Sequence, residues 1–182
     1  MKEILSSSSM NRLFLLFLFI FLAGFSQPVQ QTEAEEYNLK AVFIYNFTKY
    51  VTWETTPTGG EFTIGILGSS PIISPLNEIA KTKMVNNKRI IIRRFRNPAD
   101  ITFTNILFIP RNESYSIGSL LAKIPSGTLT VSEEDGMAID GTAINFVIDN
   151  NKLKFEANLN AIASSGLKVS AELLQHAIIV NK

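Results

Sequence analysis

The stretch that decides the fold runs Phe62-Thr63-Ile64-Gly65-Ile66-Leu67, then Gly68-Ser69-Ser70-Pro71, then Ile72-Ile73-Ser74-Pro75-Leu76-Asn77-Glu78-Ile79-Ala80-Lys81. Residues 62–67 form a short apolar run rich in β-branched side chains, the pattern of a strand buried on both faces. The Gly-Ser-Ser-Pro segment closes the run. The period then changes. Ile73, Leu76, Ile79 and Ala80 recur at helical spacing and predict a helix over 72–81. Asn86-Asn87 is a turn, and 89–95 is a second, Ile-rich strand carrying Arg89, Arg93 and Arg94, with Arg96 just beyond. Strand, helix, strand in that order predicts parallel neighbours joined by a right-handed crossover.

The alternation continues downstream. Residues 105–109 read as a third strand ended by Pro110, 114–123 as a helix stopped by Pro125, and 128–131 as a fourth strand. The pattern then changes. Two runs, 143–149 and 152–156, flank Asn150-Asn151. Asparagine tolerates positive φ, so this is a tight antiparallel hairpin with a primed turn. Leu159, Ile162 and Ala163 mark a short helix that Gly166 ends. Ser170 with Glu172 starts a last helix, with Leu173, Leu174 and Ala177 inward.

Upstream, residues 35–51 recur at helical spacing. Tyr37, Ala41, Ile44, Tyr45, Thr48 and Val51 form a stripe that Leu39, Val42, Phe43, Phe47 and Tyr50 widen. Glu33, Glu35 and Glu36 favour the dipole of the first turn. A helix apolar on most sides is expected to be buried between a sheet and another element. Trp53 ends it, and 55–60 is a turn-rich loop. The expected fold class is α/β: an open, mainly parallel sheet with helices on both faces and a C-terminal antiparallel hairpin.

The first residues follow different rules. Lys2 and Arg12 flank a serine run, and 13–25 is almost wholly apolar. That segment is too short to span a hydrocarbon core of about 30 Å. Gly24 and Ser26 supply small residues for cleavage before Gln27. The expected organisation is an export signal over 1–26, a polar tether over 27–34 and one α/β domain over 35–182, so the mature chain is expected to be exported. Removing Lys2, Arg12 and Glu3 from 17 basic and 16 acidic residues leaves 15 of each. A neutral domain gives no electrostatic reason to expect nucleic acid. The apolar content of the full 182-residue chain, 46%, is that of a folded protein.

Residues able to carry chemistry are sparse. There is no cysteine, which excludes disulfides, thiol nucleophiles and thiolate metal sites. His176 is the only histidine, and no G-x-S-x-G elbow exists to build a serine triad around it. No metal or other cofactor is expected. The run Glu133-Glu134-Asp135 reads as a solvated loop in preference to a metal site. Asp149 and Glu156, on neighbouring hairpin positions, read as solvent-facing rather than as an acid–base pair. In open α/β sheets ligands bind past the strand C-termini. Gly68, Ser69, Ser70, Arg111, Ser132 and Glu133 are therefore the candidate lining of a ligand crevice. Tyr50, Trp53, Arg93, Arg94 and Arg96 are the candidate partner-binding residues. For the arginines the bland alternative is protection of an edge strand.

Three segments together resemble the YfiR family of exported bacterial proteins. The first is Leu39-Lys40-Ala41-Val42-Phe43-Ile44-Tyr45-Asn46-Phe47-Thr48-Lys49-Tyr50-Val51-Thr52-Trp53. The second is the strand 62–67 with Gly68 and Pro71. The third is Ile144-Asn145-Phe146-Val147 through Lys154-Phe155-Glu156-Ala157-Asn158 to Gly166-Leu167-Lys168-Val169-Ser170 and Leu173-Leu174. The resemblance implies a periplasmic, non-enzymatic domain that binds and controls a membrane signalling protein through that protein's periplasmic part. The best-known member restrains a diguanylate cyclase, and related domains are joined to sensor kinases. A homodimer is implied by the family only. The redox control linked to cysteines in one branch does not transfer to this cysteine-free chain. The alternative is a periplasmic small-ligand-binding module.

Overall fold

The computed structural model describes residues 32–54, 60–111 and 116–180. The expected export signal and most of the tether lie outside these residues, as do most of the 55–60 loop and the start of the helix expected at 114.

Helix α1 spans Glu33–Tyr50 and runs directly into strand β1, Val51–Trp53. Strand β2, Glu61–Leu67, leads through helix α2, Ile73–Thr82, to a small hairpin of β3, Met84–Val85, and β4, Lys88–Phe95. A 3-10 turn, Pro98–Asp100, precedes β5, Ile106–Ile109. Helix α3, Ile117–Leu121, and β6, Leu129–Ser132, follow. Next come β7, Ile144–Asp149, β8, Lys152–Asn158, and helix α4, Leu159–Ser164. The chain closes with β9, Leu167–Val169, helix α5, Ala171–Leu174, and β10, Ile178–Val180.

The main sheet has the order β10-β8-β7-β6-β5-β2-β4-β3. Strands β4, β2, β5, β6 and β7 are mutually parallel, and β8 returns antiparallel to β7. The sheet therefore grows one way from β2 to β4 and the other way from β5 onward. A fixed crossover hand then sends successive helices to opposite faces. Side chains of α2 accordingly join the large core with α1, whereas Leu120 of α3 joins a smaller cluster of Leu67, Phe95, Leu107 and Ile109 on the other face. The expected α/β class and the C-terminal hairpin are both present. Asn150 and Asn151 have φ of 50° and 59°, as a primed turn requires.

Close packing fixes the centre. A Cβ at Gly65 would sit 2.8 Å from the Phe95 ring, so β2 approaches its neighbours only with glycine there. Phe47 of α1 packs against Phe155 and Phe146 with ring centroids 5.2 and 6.0 Å apart. Such rings contribute about 1 kcal/mol beyond their buried area.

Four strands were not anticipated. Trp53 does not end a helix; it lies in β1, paired antiparallel with β9. The last helix stops at Leu174, and β10 adds parallel to β8. Its start was legible, because Ser170 Oγ accepts from Leu173 N at 3.2 Å. The helix α1 also departs from expectation. Ala41, Ile44 and Phe47 are buried, but Leu39 is 37% and Val42 46% exposed. One apolar side of the helix therefore faces outward.

Candidate functional site

The N-terminal half of α1 lies over the C-terminal ends of β5 and β6, and five charged or phenolic groups meet there. Lys40 shares the buried side of the helix with Ala41, Ile44, Phe47 and Thr48 and is only 2% exposed. Its ammonium donates to Glu133 Oε2 at 2.5 Å and pairs with Glu36 Oε1 at 2.6 Å. A buried ammonium requires such partners, because leaving it unpaired costs several kcal/mol, on the order of the Born penalty after relaxation.

Glu133 follows β6 and is 1% exposed. The expected solvated run fails at its first residue: the chain turns inward there to meet a lysine 93 positions away. Both carboxylate oxygens are taken. Oε1 accepts from the Tyr37 hydroxyl at 3.1 Å and from Arg111 N at 3.2 Å. The Glu133 carbonyl accepts from Arg111 Nε and Nη2 at 3.3 and 3.1 Å. Burial, and then the Glu133 carboxylate, push the Tyr37 phenol up to about 12. Beside the cluster is a cavity of about 310 Å³ lined by Glu33, Glu36, Tyr37, Lys40 and Arg111.

The six crevice candidates separate. Arg111 and Glu133 come together. Ser132 is fully buried in another network, its hydroxyl 2.7 Å from that of Thr142 and within hydrogen-bonding distance of Asn145 Oδ1 and Ile144 O, for which its single proton serves as donor to one at a time. Ser70 Oγ accepts from Ile72 N, Ser69 is exposed, and the Gly68 carbonyl accepts from Arg94 Nε. Chemically the cluster is a clamp. Its carboxylate has no oxygen left unengaged, and its ammonium is held between two carboxylates.

The other candidates sit elsewhere. Tyr50 is half-buried, with its hydroxyl 3.4 Å from Glu172. Trp53 donates its indole N–H to Asn105 O at 3.0 Å and meets Phe62 edge-on. Arg93, Arg94 and Arg96 are exposed. In the pairings described, β3 covers only Lys88 and Arg89, so the arginines follow an otherwise open strand edge. His176 is exposed. Asp149 pairs with Lys154 at 2.5 Å, and Glu156 accepts from Asn145 Nδ2 at 3.1 Å, so the two carboxylates have separate partners. Among the described residues no three His, Cys, Asp or Glu side chains converge to hold a metal.

The YfiR/HmsC-like family matches residues 37–178. The chain belongs to this family. The match opens at Tyr37, within the clamp, and closes at Ile178, the first residue of β10. Of the clamp residues of this YfiR-like domain, Tyr37, Lys40, Arg111 and Glu133 lie inside the match and Glu36 just before it. Among the described residues no helix is long and apolar enough to cross a membrane.

Sequence reasoning named Arg111 and Glu133 but missed Tyr37 and Lys40. The signal was available. A lysine on the buried stripe of a helix requires a buried counter-ion, and Glu36 stands four residues before it for a second partner.

Proposed function

We propose that this YfiR-like domain is a periplasmic, non-enzymatic regulator in cyclic-di-GMP signalling that binds a membrane signalling protein, a diguanylate cyclase or a sensor kinase, through the outward side of α1. Family membership supports the regulatory role and the location. The observation that carries the reading is the apolar outer face of α1. Leu39 and Val42 are three residues apart, so they are neighbours on one helix face. Phe43 beside them packs on Phe146 and Phe155 with ring centroids 6.0 and 5.9 Å apart. Ile148, on the same face of β7 as Phe146, is also half exposed. A helix held on its inner side by aromatic packing and a buried ion pair can present its outer side without rearranging, which lowers the cost of association.

Control requires more than tight binding. The domain must bind one state of its partner better than another. Tyr50, Trp53, Arg93, Arg94 and Arg96 are the further contact candidates, the arginines as a positive rim. A second copy of the chain is the other occupant the family implies. The test is the cellular cyclic-di-GMP level after deletion of the gene and complementation. The wild-type chain restores the original level, and Val42→Glu, present at equal abundance, does not. Equal restoration by Val42→Glu, or a level indifferent to deletion, would refute the proposal.

A further inference from the structure

A second cavity, of about 380 Å³, opens at the opposite end of the sheet, where the C-terminal end of α1 and strand β1 meet the β3–β4 hairpin. It shares no residue with the strand-end cluster. Phe62 and Val85, both buried, form its apolar wall, with Trp53 beside them. The Trp53 ring is held in place by its N–H bond to Asn105 O and by edge contact with Phe62 at 5.1 Å. Lys49, Lys88 and Asn86 supply the polar groups. Asn86 sits in a hairpin turn with φ 48°, which fixes the rim.

The charge of this lining is one-sided. Two lysines line it, and no carboxylate does among the described residues. Lys88 lies on the same face of β4 as Ile90 and Ile92, toward α1, whereas Glu61 and Arg89 are opposed in register on the other face. Glu54 is engaged by Lys168. Lys49 donates to Asn46 Oδ1 at 3.0 Å, an exposed contact that a ligand can replace. The helix C-terminus contributes about half a negative charge. Two full positive charges exceed it, so the cavity is net positive in a domain that is otherwise balanced.

We propose that this cavity binds a small organic carboxylate with an apolar body, the carboxylate at Lys88 and Lys49 and the apolar part against Trp53 and Phe62. The volume fits the low end of small-ligand sites, roughly 300–1,000 Å³. Among the lining residues no helix N-terminus supplies the backbone N–H cradle that phosphate sites use, and the apolar wall selects an anion with a hydrocarbon body, so a carboxylate fits better than a phosphate. The wall requires that the anion carry apolar surface.

Trp53 is the only tryptophan, so its fluorescence reports this cavity alone. The probe is 3-phenylpropionate titrated into the purified protein, against uncharged 3-phenylpropionamide and inorganic phosphate. The expected result is a saturable response to the carboxylate that is at least about tenfold weaker for the amide and for Lys88→Gln, the scale of one lost charge-assisted bond. Lys88→Arg keeps binding within about threefold, and phosphate does not displace the probe. Far-ultraviolet circular dichroism establishes that the variants are folded. Absence of a saturable response, equal response to the amide, Lys88→Gln binding like wild type, or displacement by phosphate at equal concentration would each overturn the proposal.

Discussion

Two ion pairs in this domain have the same length and opposite surroundings. Lys40–Glu133 and Lys154–Asp149 both measure 2.5 Å, but their side chains are 3% and 2% exposed in the first and 41% and 42% in the second. The first ties helix α1 to the strand ends. The second decorates the tip of the β7–β8 hairpin. Distance therefore carries little information about energy here. The exposed pair competes with water and salt, and such pairs contribute little. The buried pair has replaced water altogether, so breaking one side leaves the other charge uncompensated.

The largest effect expected is from Lys40→Met. It strands Glu133 and should cost about 3–5 kcal/mol in denaturant unfolding. A loss no larger than that of a surface substitution would break the comparison. Replacing both partners sharpens it. Lys40→Met with Glu133→Gln removes both charges but keeps an acceptor for Tyr37 and Arg111 N, and should recover most of the loss, to within about 1–2 kcal/mol of wild type. Full additivity of the two changes would show that the pair is not coupled.

Tyr37 gives a titration of the same site. Its folded-state pKa is raised from 10.0 to about 12. The folded state therefore holds this proton more tightly than the unfolded chain does. The associated stability is present below pH 10 and is lost as pH rises toward 12. Tyr37→Phe should remove that alkaline slope, and phenolate absorbance should lose its latest-ionising component. The smallest effect belongs to the hairpin. Hydrogen bonding to Lys154, and then its charge, hold the Asp149 carboxyl below its ordinary 3.8. Any contribution it makes is present above that range and lost as pH falls through the depressed value. Asp149→Asn should leave the unfolding midpoint unchanged near neutral pH, and a clear drop would place the exposed pair in the same class as the buried one.

The fold was legible where its signals are local. The change of period between 62–67 and 72–81, the paired asparagines at 150 and 151, and Ser170 as a helix start each reside in a few adjacent residues. Strands β1, β9 and β10 have three residues each, and their pairing comes from distant segments, so no local pattern marks them. The candidate site was half legible. Arg111 and Glu133 follow from where strands end. The burial of Glu133 does not, because Glu-Glu-Asp has the composition of a solvated loop and its partner lies on the first helix. The outward Leu39 and Val42 were read as core, since an apolar helix does not state how many neighbours it has.

The most direct test of the account places the photocrosslinker p-benzoylphenylalanine at position 42, with position 74 on the exposed side of α2 as reference, and irradiates cells. The account predicts a crosslinked species from position 42, absent from position 74, that contains a membrane diguanylate cyclase or sensor kinase. No such species, the same product from both positions, or only a product at twice the chain's mass would contradict it, the last by assigning the α1 face to self-association.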